Sequence, residues 1–168
     1  MAIGFYYTIF IRWKFPFFMK QLNLPDYSFK IKSKEQKNYI FDGIRKKFVL
    51  LTPEEWVRQN FVRYLTQEKD YSSQLIAIEM PLEYNRMTYR ADVVVYNRNI
   101  QPVLIVECKA PDVKLRQEHF DQIARYNMQL RVEYLIVTNG MNHYCCRIDF
   151  KKAMYAFLED IPEFQKIQ

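Results

Sequence analysis

Two apolar runs joined by a short polar turn dominate the hydrophobic pattern of the chain. The runs cover residues 91–96 and 103–106 and are rich in β-branched side chains, which favours two neighbouring strands. Asp92 lies within the first run, while Glu107 and Lys109 follow the second run at alternate positions. Charged groups at the margins of core strands are costly unless they are paired or bind an ion. The stretch therefore predicts a catalytic or ion-binding site.

The pattern before these runs predicts a helix followed by an edge strand. Thr52 is expected to cap the helix, Pro53 to occupy its first position and Glu55 to complete a capping box, with the helix running to about residue 68. Residues 75–84 alternate between apolar and polar side chains, and Pro81 marks that strand as an edge strand or a kinked one.

The pattern after Pro111 predicts a long helix and a return to the sheet. Residues 113–131 have helical spacing, with Asp112 as the expected N-cap. Strands are predicted at 133–138 and 141–148, and a last short helix at 151–158. A long helix between two strands is a crossover, so we expect those two strands to be parallel. The predicted fold class is α/β, with a central mixed β-sheet flanked by helices.

Positive charge is concentrated in the N-terminal third. Residues 1–53 contain 10 Lys and Arg against 3 Asp and Glu, whereas residues 54–168 contain 15 against 16. Residues 19–51 are predicted to form a basic arm with a β-hairpin. Residues 52–168 are predicted to form the domain that contains the candidate site. Such an arm either contacts a polyanion or is simply solvated. The lysines proposed for nucleic-acid backbone contacts are Lys30, Lys32, Lys34, Lys46 and Lys47.

Residues 1–18 are apolar and aromatic. We expect them to be an upstream extension preceding a natural start at Met19, with an added strand or an amphipathic anchor as the alternative. The uncharged run ends at Arg12, which is too short to cross a bilayer, so no membrane association is expected.

The amino-acid composition excludes several classes of site. The three cysteines include an adjacent pair and do not form a disulfide framework, which indicates reduced thiols and a cytoplasmic protein. The chain has only three glycines, so a Walker A loop and a dinucleotide-binding fingerprint are both excluded. The chain has no nucleotide-driven motor of its own.

Acidic side chains on neighbouring strands suit metal-dependent hydrolysis. Cleaving a phosphodiester requires an activated water and neutralisation of the charge that grows on phosphate, and a divalent metal supplies both. Mg²⁺ needs few protein carboxylates, so Asp92 and Glu107 are sufficient acidic ligands, with the backbone carbonyl of Cys108 as a further one. Lys109 has the parity of Glu107 and can orient the water or stabilise the transition state.

These residues resemble the signature of the PD-(D/E)XK nuclease superfamily. Asp92 and the tripeptide 107–109 match its D…(E/D)-x-K pattern, with Ala91 in place of the usual proline. Gln122 and Tyr126 match the Q-x-x-x-Y motif of its RecB-like branch. The stretches TPEEWVRQNF, RADVVVYN, VLIVECKAP and VTNG look like the N-terminal nuclease domain of type I restriction enzyme R subunits, over about residues 52–148.

The resemblance implies a restriction-endonuclease-like fold and assigns roles. Asp92 and Glu107 would bind Mg²⁺, with Mn²⁺ as a substitute, and Lys109 would be the catalytic lysine. Gln122 and Tyr126 would be supporting residues. A carboxylate on the first helix would complete the metal site, for which Glu55 is the first candidate and Glu54 the alternative.

The function expected from the resemblance is metal-dependent hydrolysis of DNA, most simply by an endonuclease. DNA and other restriction or defence subunits would be its partners. The alternative is a catalytically inactive nucleic-acid-binding or assembly module with the same fold.

Overall fold

The described part of the chain folds into two β-sheets and two α-helices. The computed structural model describes residues 19–84 and 87–167. The first sheet contains β1 (Ile31–Lys34), β2 (Lys37–Asp42) and β3 (Lys47–Leu50), and helix α1 (Pro53–Glu68) follows it. The second sheet contains β4 (Ile76–Tyr84), β5 (Met87–Tyr96), β6 (Pro102–Cys108), β7 (Tyr134–Thr138), β8 (His143–Asp149) and β9 (Met154–Leu158). Helix α2 (Gln117–Leu130) connects β6 to β7, and short 3-10 turns occur at Ser73–Leu75 and Phe164–Lys166.

The second sheet has six strands in sequence order, from β4 at one edge to β9 at the other. Strands β6 and β7 are parallel and every other neighbouring pair is antiparallel. The parallel pair results from the crossover through α2, because a connection of that length carries the chain back to the starting end of the sheet. The predicted mixed sheet, its parallel pair and the edge position of β4 are all confirmed.

The two helices cover opposite faces of this sheet. Val57 and Phe61 of α1 are fully buried against Val93 and Val106, whereas Ile123 of α2 packs on the other face in a second apolar cluster. The alternation of side chains along β5 and β6 supplies both faces, as expected for strands covered on both sides. The predicted α/β architecture with flanking helices is therefore confirmed. Among the described residues, no helix is both long and apolar enough to cross a membrane.

The N-terminal segment packs against the α1 face of the domain. Ile40 of β2 is fully buried in the α1 cluster, together with Met19 and Leu22. Leu22 lies against Gly140, whose φ of 78° and lack of a Cβ allow this close approach. The predicted hairpin of residues 19–51 is part of a three-stranded antiparallel sheet, and residues 1–18 lie outside the described residues.

Helix α1 begins where the sequence predicts. The Thr52 hydroxyl accepts a hydrogen bond of 3.0 Å from the Glu55 N–H, and Pro53 occupies the first turn. The second half of the predicted capping box is wrong, because the Glu55 carboxylate binds arginine side chains and the Thr52 N–H donates to the Leu50 carbonyl instead.

The predicted start of the long helix is also wrong. Helix α2 begins at Gln117 and is capped at Arg116, so Asp112 is not its N-cap. Pro111 and Asp112 instead form a turn that is closed by a hydrogen bond of 3.0 Å from the Val113 N–H to the Ala110 carbonyl. The Val113 carbonyl accepts a hydrogen bond of 2.9 Å from the Asn139 side chain in the turn after β7. His119 Nδ1 accepts from the Arg116 N–H at 2.9 Å, so the side-chain contact at the helix start comes from His119 and not from Asp112.

Residues 154–158 form strand β9 in place of the helix predicted over 151–158. Asp149 Oδ1 accepts hydrogen bonds from the N–H groups of Lys151 and Lys152 and closes the turn. Strand β9 then pairs with β8 along its whole length, from Met154 to Leu158. A short aromatic run is compatible with either structure, and a free edge on β8 decides the outcome.

Candidate active site

Strands β5 and β6 separate just where the predicted acidic residues lie. Their pairing ends at Val93 and Val106, so the next residues, Asp92 and Glu107, are on diverging strands. The gap is bridged by the Asp92 side chain, whose Oδ2 accepts a hydrogen bond of 2.7 Å from the Cys108 N–H. The fork opens the sheet without leaving this buried N–H unsatisfied.

A local distortion in β4 directs Asp92 toward α1. Glu79 has a φ of 53°, and the side-chain alternation changes there, with Ile78 on the α1 face and Met80 on the α2 face. Regular alternation would place these two residues on one face. On the neighbouring strand, Ala91 and Val93 are likewise on opposite faces, and the first predicted metal ligand lies between them. Such irregularities re-aim side chains next to functional sites.

Glu107, Lys109 and Gln122 form one hydrogen-bonded cluster on the α2 side of the fork. Glu107 Oε1 accepts from Lys109 Nζ and from Gln122 Nε2, each at 2.7 Å. Lys109 Nζ also donates to Gln122 Oε1 at 3.2 Å. Residues 107 and 109 share a strand face, and α2 brings Gln122 above them. The structure therefore brings together three of the residues predicted from the sequence motifs.

The second oxygen of Glu107 is buried without a hydrogen-bond partner. Glu107 is 2% exposed, and its Oε2 is one of the few buried polar side-chain atoms among the described residues that lack a partner. Burial and the nearby charge of Asp92 raise the pKa of Glu107 to about 7, against the opposing effect of Lys109. Burial by itself would lower the pKa of Lys109, but the hydrogen bond and charge of Glu107 outweigh burial and raise it.

A buried arginine occupies the other side of the fork. Arg58 Nη2 donates to Asp92 Oδ1 at 2.8 Å, and Arg58 Nη1 donates to Glu55 Oε2. Glu55 Oε1 in turn accepts from Arg45 Nη2 at 2.8 Å and from Gln59 Nε2 at 2.7 Å. Both oxygens of Glu55 are therefore engaged by cationic or amide donors.

Glu54 is turned toward the predicted site. Its side chain is 44% exposed, and its one ion pair in the described part of the chain is a longer contact of 3.6 Å to Arg58. Burial and the charge of Asp92 raise the pKa of Glu54, while Lys109 and Arg58 oppose this effect. The charges that act on Glu54 are thus those of the fork.

The donor set of the fork fits a hard divalent cation. Glu107 offers an unpartnered buried oxygen, and Asp92 and Glu54 add carboxylate oxygens nearby. Mg²⁺ accepts such a sparse oxygen set and completes its shell with water and substrate phosphate. Within residues 19–84 and 87–167, no three His, Cys, Asp or Glu side chains stand in metal-binding geometry. Arg58 pairs with Asp92, and Lys109 pairs with Glu107.

The other predicted residues lie in several places. Tyr126 belongs to α2, but its side chain is outside the described part of the structure. Lys47 lines a groove that runs past Thr52 and Glu54 to Arg58. The remaining predicted lysines are exposed on the first sheet or in its turns, namely Lys30, Lys32, Lys34 and Lys46.

Sequence reasoning missed the arginines. Arg58 contacts the first predicted ligand directly, and Arg45 clamps Glu55 and Glu79 from the turn between β2 and β3. A signal for Arg58 was present, because Glu54 and Glu55 precede it by four and three residues and adjoin it on the helix surface. For Arg45 the sequence indicates only the local partner Asp42, three residues earlier, because Glu55 and Glu79 are distant in sequence.

Comparisons with known proteins show the family and the fold of the chain. The family described as type I restriction enzyme R protein N terminus (HSDR_N) matches residues 53–162, about two thirds of the chain. A solved fragment from Vibrio vulnificus YJ016, described as an HsdR subunit of a type I restriction enzyme, has the same fold with a TM-score of 0.50 at 19% identity. The match covers 69% of this chain and 25% of that one. No curated protein matches the chain.

The family match spans α1, the fork and both helix–sheet interfaces. It thus includes Glu54, Asp92, Glu107, Lys109 and Gln122. The resemblance drawn from the sequence motifs is confirmed, and the PD-(D/E)XK superfamily is consistent with this domain. The chain belongs to the family of type I restriction enzyme R protein N-terminal domains.

Proposed function

We propose that this protein is a metal-dependent nuclease that hydrolyses DNA phosphodiester bonds as an endonuclease. The observation that carries the proposal is the fork between β5 and β6. It gathers Asp92, Glu107 and Lys109 at one margin of the sheet and leaves Glu107 Oε2 buried without a partner. A buried carboxylate oxygen with no donor is costly unless a cation or a proton binds it.

Each residue of the fork has a different proposed role. Asp92, Glu107 and the Cys108 carbonyl would hold Mg²⁺, or Mn²⁺ as a substitute, and the metal would supply an activated water and neutralise phosphate charge. Lys109 would stabilise the negative charge that develops on the phosphate. Gln122 forms hydrogen bonds with both Lys109 and Glu107 and so keeps the two side chains in position. Tyr126 is kept as a supporting residue on the strength of its motif.

Glu54, and not Glu55, is proposed as the carboxylate that α1 contributes to the metal. Both Glu55 oxygens already accept hydrogen bonds from arginine or glutamine side chains. Glu54 is exposed to the fork, and its charge acts on Glu107 and Lys109. Freeing Glu55 would also remove one carboxylate partner from the buried Arg58 and from the partly buried Arg45, which makes Glu55 the more costly ligand.

DNA and other restriction subunits are the proposed partners. Lys30, Lys32, Lys34, Lys46 and Lys47 would contact backbone phosphates without reading sequence.

The second candidate function is a binding or assembly module without catalysis. It is favoured by the pairing of Asp92 with Arg58 and of Glu107 with Lys109, since both predicted ligands then have a cation already.

Removing the carboxylates tests the nuclease. In Asp92→Asn and Glu54→Gln we expect weaker Mn²⁺ binding by calorimetry, by about 10-fold or more, and loss of cleavage of plasmid and single-stranded DNA in Mg²⁺. Asp121→Asn, which changes an exposed carboxylate on α2, is the matched control and should behave as wild type. Metal-independent cleavage, or equal cleavage by Asp92→Asn and wild type, would rule out the proposed centre.

The metal-free protein should lose stability as the pH rises through 7. The pKa of Glu107 is raised from 4.5 to about 7, so the folded state holds this proton more tightly than the unfolded state does. Its stabilising effect is complete below the lower value and is lost as pH rises through the higher one. Urea unfolding in EDTA should show this slope in wild type relative to Glu107→Gln.

Added Mg²⁺ provides the control for that titration. A bound cation favours the ionised carboxylate, so the difference between wild type and Glu107→Gln should shrink or change sign at the higher pH. A difference that is independent of pH in EDTA would show that Glu107 is ionised throughout, which contradicts its burial without a second partner.

A further inference from the structure

The outer face of the first sheet combines aromatic rings with lysines. Along β2 the side chains of Tyr39 and Phe41 share one face, and the strand register places Phe48 beside Phe41 on that face. The two phenylalanine rings contact edge to face, with centroids 5.3 Å apart. Ile40, at the alternate position, is fully buried on the opposite face against α1. The three rings therefore point away from the core.

Lysine side chains surround these rings. The Nζ atom of Lys32 lies 4.1 Å from the centroid of the Phe48 ring, and that of Lys30 lies 5.9 Å from the centroid of the Phe41 ring. Lys34 and Lys37 are paired at the end of the same hairpin and share its outer face. A cation over a ring shows that the ring face is reachable from the solvent and presents its negative quadrupole there.

The charged side chains of this face are almost all positive. Within β1, β2 and β3 the single carboxylate is Asp42, which is 1% exposed and is bound by Arg45 on the inner side. The turn residue Glu35 pairs with Lys34, at 3.4 Å between two exposed side chains. Such an ion pair contributes little and is easily exchanged for another anion. The surface thus offers stackable rings and several cations, with almost no opposing charge.

We propose that this face binds a single-stranded nucleic-acid segment. Bases would stack on Phe41 and Phe48, and the lysines that now cover the rings would move to the backbone phosphates. Aromatic side chains interleaved with lysines on a sheet are suited to single strands, because unpaired bases expose their faces whereas those of a duplex are already stacked. The inference rests on the proposed nuclease function and deepens it by naming the form of DNA held beside the site.

The groove lined by Lys47 connects this sheet to the fork. It passes from Phe48 and Leu50 of β3 to Thr52, Glu54 and Arg58 at the start of α1. A strand held on the outer face could therefore pass the edge of β3 and reach Glu54. The proposed surface and the proposed active site would then act on one substrate.

Binding measured in EDTA tests the surface without cleavage. Fluorescence anisotropy with labelled oligothymidylate and with a duplex of mixed sequence gives both affinities. The double variant Phe41→Leu/Phe48→Leu keeps apolar bulk but removes the rings, and we expect single-strand affinity to fall by about 5-fold or more, with a smaller effect on the duplex. Phe157→Leu is the matched control, since this exposed aromatic lies on β9 of the second sheet and its ring contacts Phe120 and Tyr155.

The lysines are tested by salt dependence. Changing Lys32 and Lys34 to Gln should reduce the slope of log affinity against log salt by about 0.7 for each phosphate that the variant no longer neutralises. Because both lysines are exposed, these variants keep the proposal testable if the double phenylalanine variant does not fold. Unchanged single-strand binding in folded phenylalanine variants, or an unchanged slope in the lysine variants, would overturn the inference. Loss of cleavage in Asp92→Asn with intact binding would leave it in place.

Discussion

Lys109→Gln is expected to lower the rate of DNA cleavage by about 10²–10³-fold in saturating Mg²⁺ while leaving Mn²⁺ binding largely intact. A single positioned donor aimed at developing negative charge contributes an effect of this size. The Lys109 ammonium lies 2.7 Å from Glu107 Oε1 and is held by Gln122, so it is fixed beside the proposed metal ligands without being one. Single-turnover cleavage and calorimetry separate the two roles.

Lys151→Gln provides the comparison for this variant, because Lys151 is an exposed lysine in the turn between β8 and β9. It should cleave at the wild-type rate. Gln122→Ala should give a smaller loss than Lys109→Gln, since it removes the support and keeps the ammonium. If Lys109→Gln cleaved normally while Asp92→Asn did not, Lys109 would serve only to neutralise Glu107, and the proposed division of roles would be wrong.

The features predicted correctly from the sequence are those with local signals. The two apolar runs that became β5 and β6 were visible because their side chains are β-branched and continuous. The start of α1 followed from Thr52 and Pro53, which act within a single turn. The carboxylates at the fork stood out because charge is rare at the margins of core strands. Each of these signals needs only a few neighbouring residues.

The features missed depend on contacts between distant parts of the chain. Residues 151–158 were predicted as helix because nothing local reveals the free edge of β8, and pairing with that edge produced β9. The surroundings of Glu55 are similarly non-local in part. Its partner Arg45 arrives from the turn between β2 and β3 of a separate sheet. The sequence therefore left both Glu54 and Glu55 open, and Glu54 is a proposal that uses these distant contacts.

Arg58 connects the stability of the domain to the proposed centre. Its side chain is 5% exposed, and its guanidinium lies between Glu55 and Asp92, while Arg45 binds the other oxygen of Glu55 and also Glu79. The neighbouring carboxylates raise the pKa of Arg58 although burial opposes them, so the group is charged at every working pH. The buried Arg58, the partly buried Arg45 and their carboxylates form one network that is unlike an exposed ion pair.

Arg58→Leu is therefore expected to reduce the free energy of unfolding by about 3–5 kcal/mol, because it leaves the carboxylates of Glu55 and Asp92 buried with one partner fewer. Urea unfolding measures the change. Arg147→Leu is the control, since its ion pair with Glu133 is exposed and is worth about 0–1 kcal/mol.

The double variant Arg58→Leu/Glu55→Gln should lose less free energy of unfolding than the sum of the single changes, because the Glu55 charge that Arg58→Leu leaves with one partner fewer is then also removed. Additive losses would show that the two side chains act independently. If Glu55→Gln instead kept full stability but lost Mn²⁺ binding, Glu55 would be the metal ligand and the assignment of Glu54 would be wrong.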